Sequence, residues 1–210
     1  MCQLNIQPEW QQRLGALGLD TLPALLELRL DEQEKERRVC GLHCLELDQH
    51  TKLCLKRDEE CGLGHIVCGL FRFRLPQSRC RRERLNIEML AAEGFIVPEL
   101  VAWGEKRLLG LPRAGLLLLR PPSTLALPAF LEAEFDLQVR HDMVEKAESL
   151  LRRLQERGYD WQDCVAKNFV VLPDHRLGLC NLESIRRSKS LSQELCQRQF
   201  EKFYASLCSA

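Results

Sequence analysis

Asp163 and Asn168 are the residues whose types and spacing suggest chemistry most directly. A carboxylate can accept the proton of a reacting hydroxyl, and an asparagine five residues later can bind a metal ion, as phosphoryl transfer requires. The segment Asp163-Cys164-Val165-Ala166-Lys167-Asn168 has this spacing. The spacing alone is a weak signal because two such residues can match by chance. Asp163 and Asn168 could equally be turn residues.

Two charged residues lie on elements predicted earlier in the chain. Lys56 lies on a strand at 51–57, where Leu53 and Leu55 share one face and the polar residues share the other. A strand at 39–47 precedes it, with a turn between them. Glu83 lies on a helix predicted for 78–93 and ended by a glycine. Lys56 could also be a plain surface charge, and Glu83 could only neutralise neighbouring arginines.

The clearest predicted helix spans 143–157. Asp142 and Glu145 form a plausible capping pair at its start, and Gly158 ends it. Its apolar stripe and the predicted strands give a set of residues expected to be buried. These are Leu53, Leu55, Leu90, Leu117, Leu119, Val144, Leu151, Leu154 and Phe169.

The remaining pattern predicts an α+β fold. Strands at 108–111 and 114–119 end at a Pro-Pro breaker, a short helix lies within 124–135, a hairpin joins 169–172 to 177–180, and a last helix spans 191–207. We expect an N-terminal helical extension at 1–38, an antiparallel sheet with one helix at 39–120, and a reduced, mainly helical part with the hairpin at 121–210. This order of elements is the layout of a compact, two-lobed protein-kinase-like fold.

Four segments resemble the lipopolysaccharide core kinase family (Kdo and heptose kinases), and most closely its InaA-like branch. They are Leu53-Cys54-Leu55-Lys56-Arg57, the stretch from Arg82-Glu83 to Val97-Pro98, Cys164-Val165-Ala166-Lys167-Asn168-Phe169-Val170-Val171, and Leu179-Cys180-Asn181-Leu182-Glu183-Ser184-Ile185-Arg186-Arg187. Together they cover about residues 39–187 in the family's order.

The resemblance implies ATP and Mg²⁺ as cofactors and a role for each of five residues. Lys56 would contact the α- and β-phosphates of the nucleotide, and Glu83 would hold Lys56. Asp163 would orient the acceptor hydroxyl, and Asn168 would bind the metal ion. Asn181 stands where the family has its metal-binding aspartate. A neutral amide there weakens the site, because Mg²⁺ prefers anionic oxygen ligands.

Two functions therefore follow from the resemblance. The first is an ATP-dependent phosphotransferase acting on a sugar hydroxyl, with a lipopolysaccharide core sugar or another small molecule as acceptor. The alternative is a non-catalytic pseudokinase that acts as a binding or regulatory module, which Asn181 favours. A small unrelated α+β binding domain would not explain the ordered motifs.

Composition narrows the classes of binding partner and the cellular location that the sequence predicts. The chain has 30 basic and 30 acidic residues, and this balance argues against a nucleic-acid binder. Eleven cysteines without metal-site spacing indicate reduced thiols. The sequence has no targeting segment and no run long enough to cross a membrane, which predicts a cytoplasmic protein and leaves peripheral membrane contact open. Arginines between residues 72 and 84 could bind an anionic lipid or sugar phosphate, or form a solvated face.

Overall fold

The computed structural model describes residues 2–28, 38–39, 42–48, 51–58, 77–108, 111–123 and 125–207. These residues form two compact units. The first unit comprises residues 1–85 and 99–120, and the second comprises residues 86–98 and 121–210. Arg72 and Arg74 lie outside the described residues. So do two of the three residues of the turn predicted between the first two strands, at 48–50.

The first unit is built on an antiparallel sheet. Its strands are β1 (Cys2–Ile6), β2 (Arg38–Val39), β3 (Leu42–Asp48), β4 (Thr51–Asp58), β5 (Glu99–Leu108) and β6 (Leu111–Arg120), arranged in the order β1-β5-β6-β4-β3-β2. The prediction of separate strands at 108–111 and 114–119 was wrong, because β6 is one continuous strand. Its run of leucines pairs with β4 on one side and with β5 on the other.

The N-terminal segment is part of this sheet. Helices α1 (Pro8–Ala16) and α2 (Leu22–Glu27) lie within the N-terminal extension that was expected to be helical, but strand β1 was not predicted. β1 pairs with β5 about a hundred residues later. The apolar residues of the two helices pack with the sheet in one core, which includes Trp10, Leu14, Leu22, Leu25, Leu53, Leu55, Leu116 and Leu118.

Helix α3 (Arg79–Ala92) follows the predicted span closely. Its start is fixed by two side chains: Asp58 Oδ2 accepts a hydrogen bond from the Arg79 amide, and Ser78 Oγ accepts one from the Arg81 amide. β6 approaches this end so closely that a Cβ on Gly115 would lie 2.8 Å from Ser78 Oγ. Glycine at 115 therefore allows the start of α3 to pack against the sheet.

The second unit combines helices with short strands. It contains α4 (Leu127–Ala133), α5 (Leu137–Glu156), β7 (Tyr159–Trp161), β8 (Phe169–Val171), β9 (Leu177–Leu179), β10 (Ile185–Arg187) and α6 (Gln193–Leu207). β8 and β9 form the predicted hairpin, whereas the pairing of β7 with β10 was not predicted. No helix among the described residues is both long and apolar enough to cross a bilayer.

Helix α5 begins earlier than predicted. Asp136, not Asp142, is its N-cap and accepts hydrogen bonds from the amides of Gln138 and Val139. Asp142 lies inside the helix and accepts a hydrogen bond from the Gln138 side chain. The capping prediction was wrong because residues 137–142 also continue the helix, although none of these six residues belongs to its apolar stripe.

The buried set is confirmed except at one position. Leu53, Leu55, Leu90, Leu117, Leu119, Leu151, Leu154 and Phe169 are buried. Val144 is only half-buried, and Met143 takes its place beside Ala147 in the buried stripe of α5. Both residues are apolar and lie within one turn of Ala147, so spacing alone does not distinguish them.

Replacing Leu151 with alanine should lower the free energy of unfolding by about 2–5 kcal/mol. Leu151 has no exposed surface in the middle of α5, so the substitution leaves a cavity. Chemical denaturation measures the change, with Ser149→Ala on the exposed face of the same helix as control. A loss under about 0.5 kcal/mol, the size expected for the control, would contradict the assigned face.

Candidate functional site

Lys56 and Glu83 form an ion pair in the first unit. Lys56 lies on β4 and Glu83 on α3, and the Lys56 Nζ to Glu83 Oε2 distance is 2.5 Å. The Glu83 side chain is 1% exposed and that of Lys56 is 16% exposed. The predicted contact is confirmed. Because the Glu83 carboxylate is removed from solvent, water screens its attraction to the Lys56 ammonium only weakly.

Two described arginines of the predicted cluster make side-chain contacts inside the same unit. Arg81 Nη1 lies 3.5 Å from Glu105 Oε2, and the Arg84 guanidinium lies 5.4 Å from the centre of the Trp103 ring. These contacts give two of the arginines a structural role. Binding of an anionic ligand by this cluster stays a prediction.

Asp163, Asn168 and Asn181 come together in the second unit. Asn168 is buried, and its Nδ2 donates to the Asp163 carbonyl oxygen at 2.9 Å. Asn181 Nδ2 donates to Asn168 Oδ1 at 2.8 Å. The hairpin of β8 and β9 causes this proximity, because the Cys180 amide donates to the Asn168 carbonyl oxygen and closes the base of the hairpin. The predicted hairpin thus brings Asn168 and Asn181 into contact at its base.

Asn181 adopts a left-handed backbone conformation, with φ +54° and ψ +58°. Asparagine and aspartate are the non-glycine residues that tolerate this conformation best. The backbone at this position therefore accepts either the amide found here or the carboxylate that the resemblance implies.

A buried asparagine that sequence reasoning missed supports the segment after Asn181. Asn86 Nδ2 on α3 donates to the carbonyl oxygens of Leu182 and Ile185, at 2.6 and 3.0 Å. Ser184 Oγ in the same segment accepts a hydrogen bond from the Asp163 amide at 3.2 Å. These bonds connect α3, the Asn181 segment and the Asp163 loop. The only sequence signal was a polar residue between Glu83 and Ile87 on an otherwise amphipathic helix.

The last helix holds the Asp163 loop from the other side. Ser206 Oγ on α6 accepts a hydrogen bond from the Ala166 amide at 2.7 Å, and Lys202 Nζ donates to the Gln162 carbonyl oxygen at 2.7 Å. Burial raises the pKa of the Cys164 thiol to about 12, and the charge of Lys202 opposes that shift. Cys164 therefore remains a neutral thiol that helps to anchor the loop, while the Asp163 side chain is exposed.

The structure describes five cysteine side chains. They are Cys54, Cys80, Cys164, Cys180 and Cys196, and only Cys196 is not buried. A buried cysteine side chain packs as a small apolar group.

The sequence model of the lipopolysaccharide kinase (Kdo/WaaP) family matches residues 31–207. The chain belongs to this family. Membership of a kinase family implies the use of ATP. A comparison with curated protein sequences gives no match.

Solved structures of kinases resemble the chain. WaaP, in a complex with acyl carrier protein, has 16% sequence identity and a TM-score of 0.66, over 97% of this chain and 80% of that chain. This similarity confirms the predicted kinase-like α+β fold. The bifunctional kinase-methyltransferase WbdD has 23% identity over 59% of this chain and 27% of its own, with a TM-score of 0.42. A second WbdD structure has 19% identity over 73% and 34%, with a TM-score of 0.46. Because both of these TM-scores are below 0.5, the WbdD structures add nothing to the assignment of the fold.

In this member of the lipopolysaccharide kinase family, Asn168 and Asn181 do not present two facing oxygens to a magnesium ion. Mg²⁺ requires oxygen ligands, but the Asn181 amide group that faces Asn168 Oδ1 is a hydrogen-bond donor. Within the described ranges, no three His, Cys, Asp or Glu side chains are grouped so that they could hold a metal ion. Roles for Asn168 and Asn181 as metal ligands therefore stay predictions, as does the convergence of Lys56 with the three residues of the second unit.

Proposed function

We propose that the chain is an InaA-like, ATP-dependent phosphotransferase that transfers the γ-phosphoryl group to a hydroxyl of a sugar. A lipopolysaccharide core sugar is the first acceptor to test, and other small acceptors come next. The observation that carries the proposal is the ion pair between Lys56 and the buried Glu83. A kinase needs such a pair to place a lysine on the nucleotide phosphates.

In this proposal Lys56 binds the α- and β-phosphates of ATP. The stem of Lys56 is largely covered, and its ammonium group contacts the Glu83 carboxylate. The pairing restricts the lysine to few rotamers, so less conformational entropy is lost when the phosphates bind. Glu83 is a positioning residue, since it acts through Lys56.

Asp163 is proposed to orient the acceptor hydroxyl and accept its proton. Its backbone is held by bonds to Ser184 Oγ and Asn168 Nδ2, so the carboxylate is presented from a fixed loop. Its side chain is exposed and reachable by an acceptor. Asp160, the other carboxylate of this loop, accepts a hydrogen bond from Gln199 on α6. Asp163 is therefore the better candidate for the base.

A pseudokinase is the second candidate, and the hydrogen bond between Asn181 and Asn168 favours it. This amide pair leaves out the anionic ligand that neutralises phosphate charge through a metal in kinases. A chain with Lys56 and Glu83 intact could bind ATP and still transfer no phosphoryl group. Nucleotide binding measured by calorimetry, with and without magnesium, separates the two. Absence of binding would contradict the phosphotransferase, and binding that ignores magnesium would favour the pseudokinase.

Asn181→Asp should raise ATP turnover and make it magnesium-dependent. The carboxylate would meet Asn168 Oδ1 where the amide now donates to it, and two oxygens facing each other favour a cation between them. The left-handed backbone accepts aspartate without added strain. Turnover is measured with and without a lipid A–core acceptor.

A second readout does not depend on activity. Added magnesium should raise the unfolding temperature of Asn181→Asp, because a ligand that binds only the folded state stabilises it. The wild type is the control and should shift less. If magnesium moves neither protein, the aspartate has not created a metal site. If the wild type is at background while the variant turns over, the chain is a kinase that has lost its metal ligand.

The proposal includes the three-part organisation inferred from the sequence and a cytoplasmic location. The extension 1–38 would pack on the sheet part 39–120, which would supply the nucleotide-binding pair. The part 121–210 would supply the acceptor loop. Phosphoryl transfer from cytoplasmic ATP is consistent with that location.

A further inference from the structure

An open cavity of about 460 Å³ lies in the first unit, beside helix α3 and strand β5. Arg81 and Arg84 line it from α3, and Trp103, Glu105 and Arg107 line it from β5. The residues proposed above for nucleotide and acceptor binding are not among those that line it. Among its described lining residues, three guanidinium groups thus surround one carboxylate and one indole ring.

Two of these arginines share the Glu105 carboxylate. Arg107 Nε donates to Glu105 Oε2 at 2.5 Å, whereas Arg81 Nη1 lies 3.5 Å from the same oxygen. The second distance is long for a hydrogen bond, whose usual length is about 2.9 Å. Arg81 Nε is shielded from solvent and has no hydrogen-bond acceptor among the described residues. The Arg81 guanidinium is therefore incompletely hydrogen-bonded, and an anion in the cavity would complete its bonds.

The charge of the cavity is positive. Burial tends to raise the pKa of Glu105, but hydrogen bonds from Arg107 and Ser78 outweigh burial and hold that pKa below its usual value. Glu105 is therefore ionised, and its one negative charge leaves two positive charges of the three arginines in excess. A phosphate group carries about two negative charges and matches the guanidinium fork, so it suits this excess better than a singly charged carboxylate.

We propose that this cavity is a regulatory site that binds a phosphate group, from a small molecule or a lipid headgroup, and thereby strengthens nucleotide binding at Lys56. The coupling rests on the proposed function, in which Lys56 binds ATP. The phosphate contacts Arg81 and Arg84 on α3 together with Arg107 on β5. Such a ligand ties the helix to the sheet through charge-assisted hydrogen bonds on both elements.

Helix α3 connects the cavity with the nucleotide-binding pair. Arg81 and Arg84 are three residues apart and lie on one side of the helix, whereas Glu83 lies on another side and contacts Lys56. A ligand shifts a conformational equilibrium only by binding one state better than the other. Phosphate binds best when α3 stays against the sheet, which is the position that holds Glu83 on Lys56. Because that position also favours ATP, each ligand should strengthen binding of the other.

The indole NH resonances of the full chain report on the cavity directly. Trp103 is half-buried beside the Arg84 guanidinium, whereas Trp10 and Trp161 are buried and do not line the cavity. Titration with inorganic phosphate should shift the Trp103 signal and leave the other two in place, and Trp103→Phe assigns the signal. Acetate, with a single charge, should bind more weakly.

Arg81→Met and Arg84→Met should each weaken phosphate binding roughly tenfold, the loss expected for one charge-assisted hydrogen bond. Arg79→Met is the matched control, because Arg79 is exposed on the same helix outside the cavity. Glu105→Gln should instead strengthen binding, because it removes the competing charge and keeps an oxygen for the Ser78 amide. A variant that merely disturbed the fold would not bind phosphate more tightly.

The source of the phosphate group is tested with vesicles of phosphatidylcholine, with and without phosphatidate. Sedimentation that requires phosphatidate and is lost in Arg81→Met identifies a lipid headgroup, and binding of free phosphate alone identifies a small molecule. Equal losses in Arg79→Met and the two cavity variants would overturn the inference. So would a Trp103 shift that disappears in Lys56→Met, because the phosphate would then occupy the nucleotide site.

Calorimetry with ATP, with and without saturating phosphate, tests the coupling. Phosphate should raise the affinity for ATP at least about fivefold, and Arg81→Met should abolish the rise. A fall, as competition at Lys56 would produce, or an unchanged affinity overturns the coupling. Failure of the proposed function is distinguishable, because the Trp103 titration requires no ATP. If phosphate binds at the cavity and ATP does not bind at all, the phosphate site stands, whereas the coupling and the phosphotransferase do not.

Discussion

Asp163→Asn should lower ATP turnover with an acceptor by roughly 10²–10⁴-fold while leaving ATP affinity nearly unchanged. The amide keeps the size of the side chain but cannot accept the proton of the acceptor hydroxyl. The backbone of Asp163 makes the hydrogen bonds that hold the loop, so the substitution does not disturb them. Steady-state kinetics and nucleotide calorimetry on the same preparations measure both quantities.

The matched control is Asp160→Asn, three residues earlier. Asp160 accepts a hydrogen bond from Gln199 Nε2, so its variant reports a structural change in the same loop. We expect it to keep most of the activity. If Asp160→Asn loses activity and Asp163→Asn keeps it, the two roles are reversed. A wild type without turnover would instead support the pseudokinase.

Lys56→Met should weaken ATP binding by tenfold or more, on the order of one lost charge-assisted contact to phosphate. The single substitution has a second consequence. The Glu83 carboxylate, 1% exposed, would lose its counter-charge, and breaking a buried pair in this way costs roughly 3–5 kcal/mol of stability. Weak binding by this variant alone could therefore reflect unfolding.

The double variant Lys56→Met with Glu83→Gln removes that difficulty. With the carboxylate neutralised, stability should recover while ATP affinity stays low. Lys52→Met, exposed on the same strand, is the control and should bind ATP like the wild type. Calorimetry gives the affinities, and thermal unfolding gives the stabilities. ATP affinity in the double variant equal to that of the wild type would remove Lys56 from the nucleotide site.

Much of the candidate site could be predicted because its signals are local. Strand alternation placed Lys56, helical spacing placed Glu83, and the turn between β8 and β9 brought the hairpin ends together. Each of these inferences depends on neighbours a few residues apart. Resemblance to a family then paired elements that lie far apart in the chain, and the contact between Lys56 and Glu83 agrees with it.

Two of the inferences that failed required a choice between local alternatives. Met143 and Val144 are both apolar, and Asp136 and Asp142 can both cap a helix. In each case, packing of the whole helix selected one residue. Strand β1 is a short segment whose partner β5 lies about a hundred residues away, and nothing in its own composition specifies that partner.

The sequence by itself determined the family and the presence of an amide at Asn181, where the resemblance implies a metal-binding aspartate. Only the tertiary structure decided what this amide contacts: Asn181 Nδ2 donates a hydrogen bond to Asn168 Oδ1. It also decided that Asn86 supports the Asn181 segment and that Lys202 joins Lys167 beside Asp163. These contacts join residues 13 to 96 positions apart, so they follow from how the chain packs rather than from spacing along it.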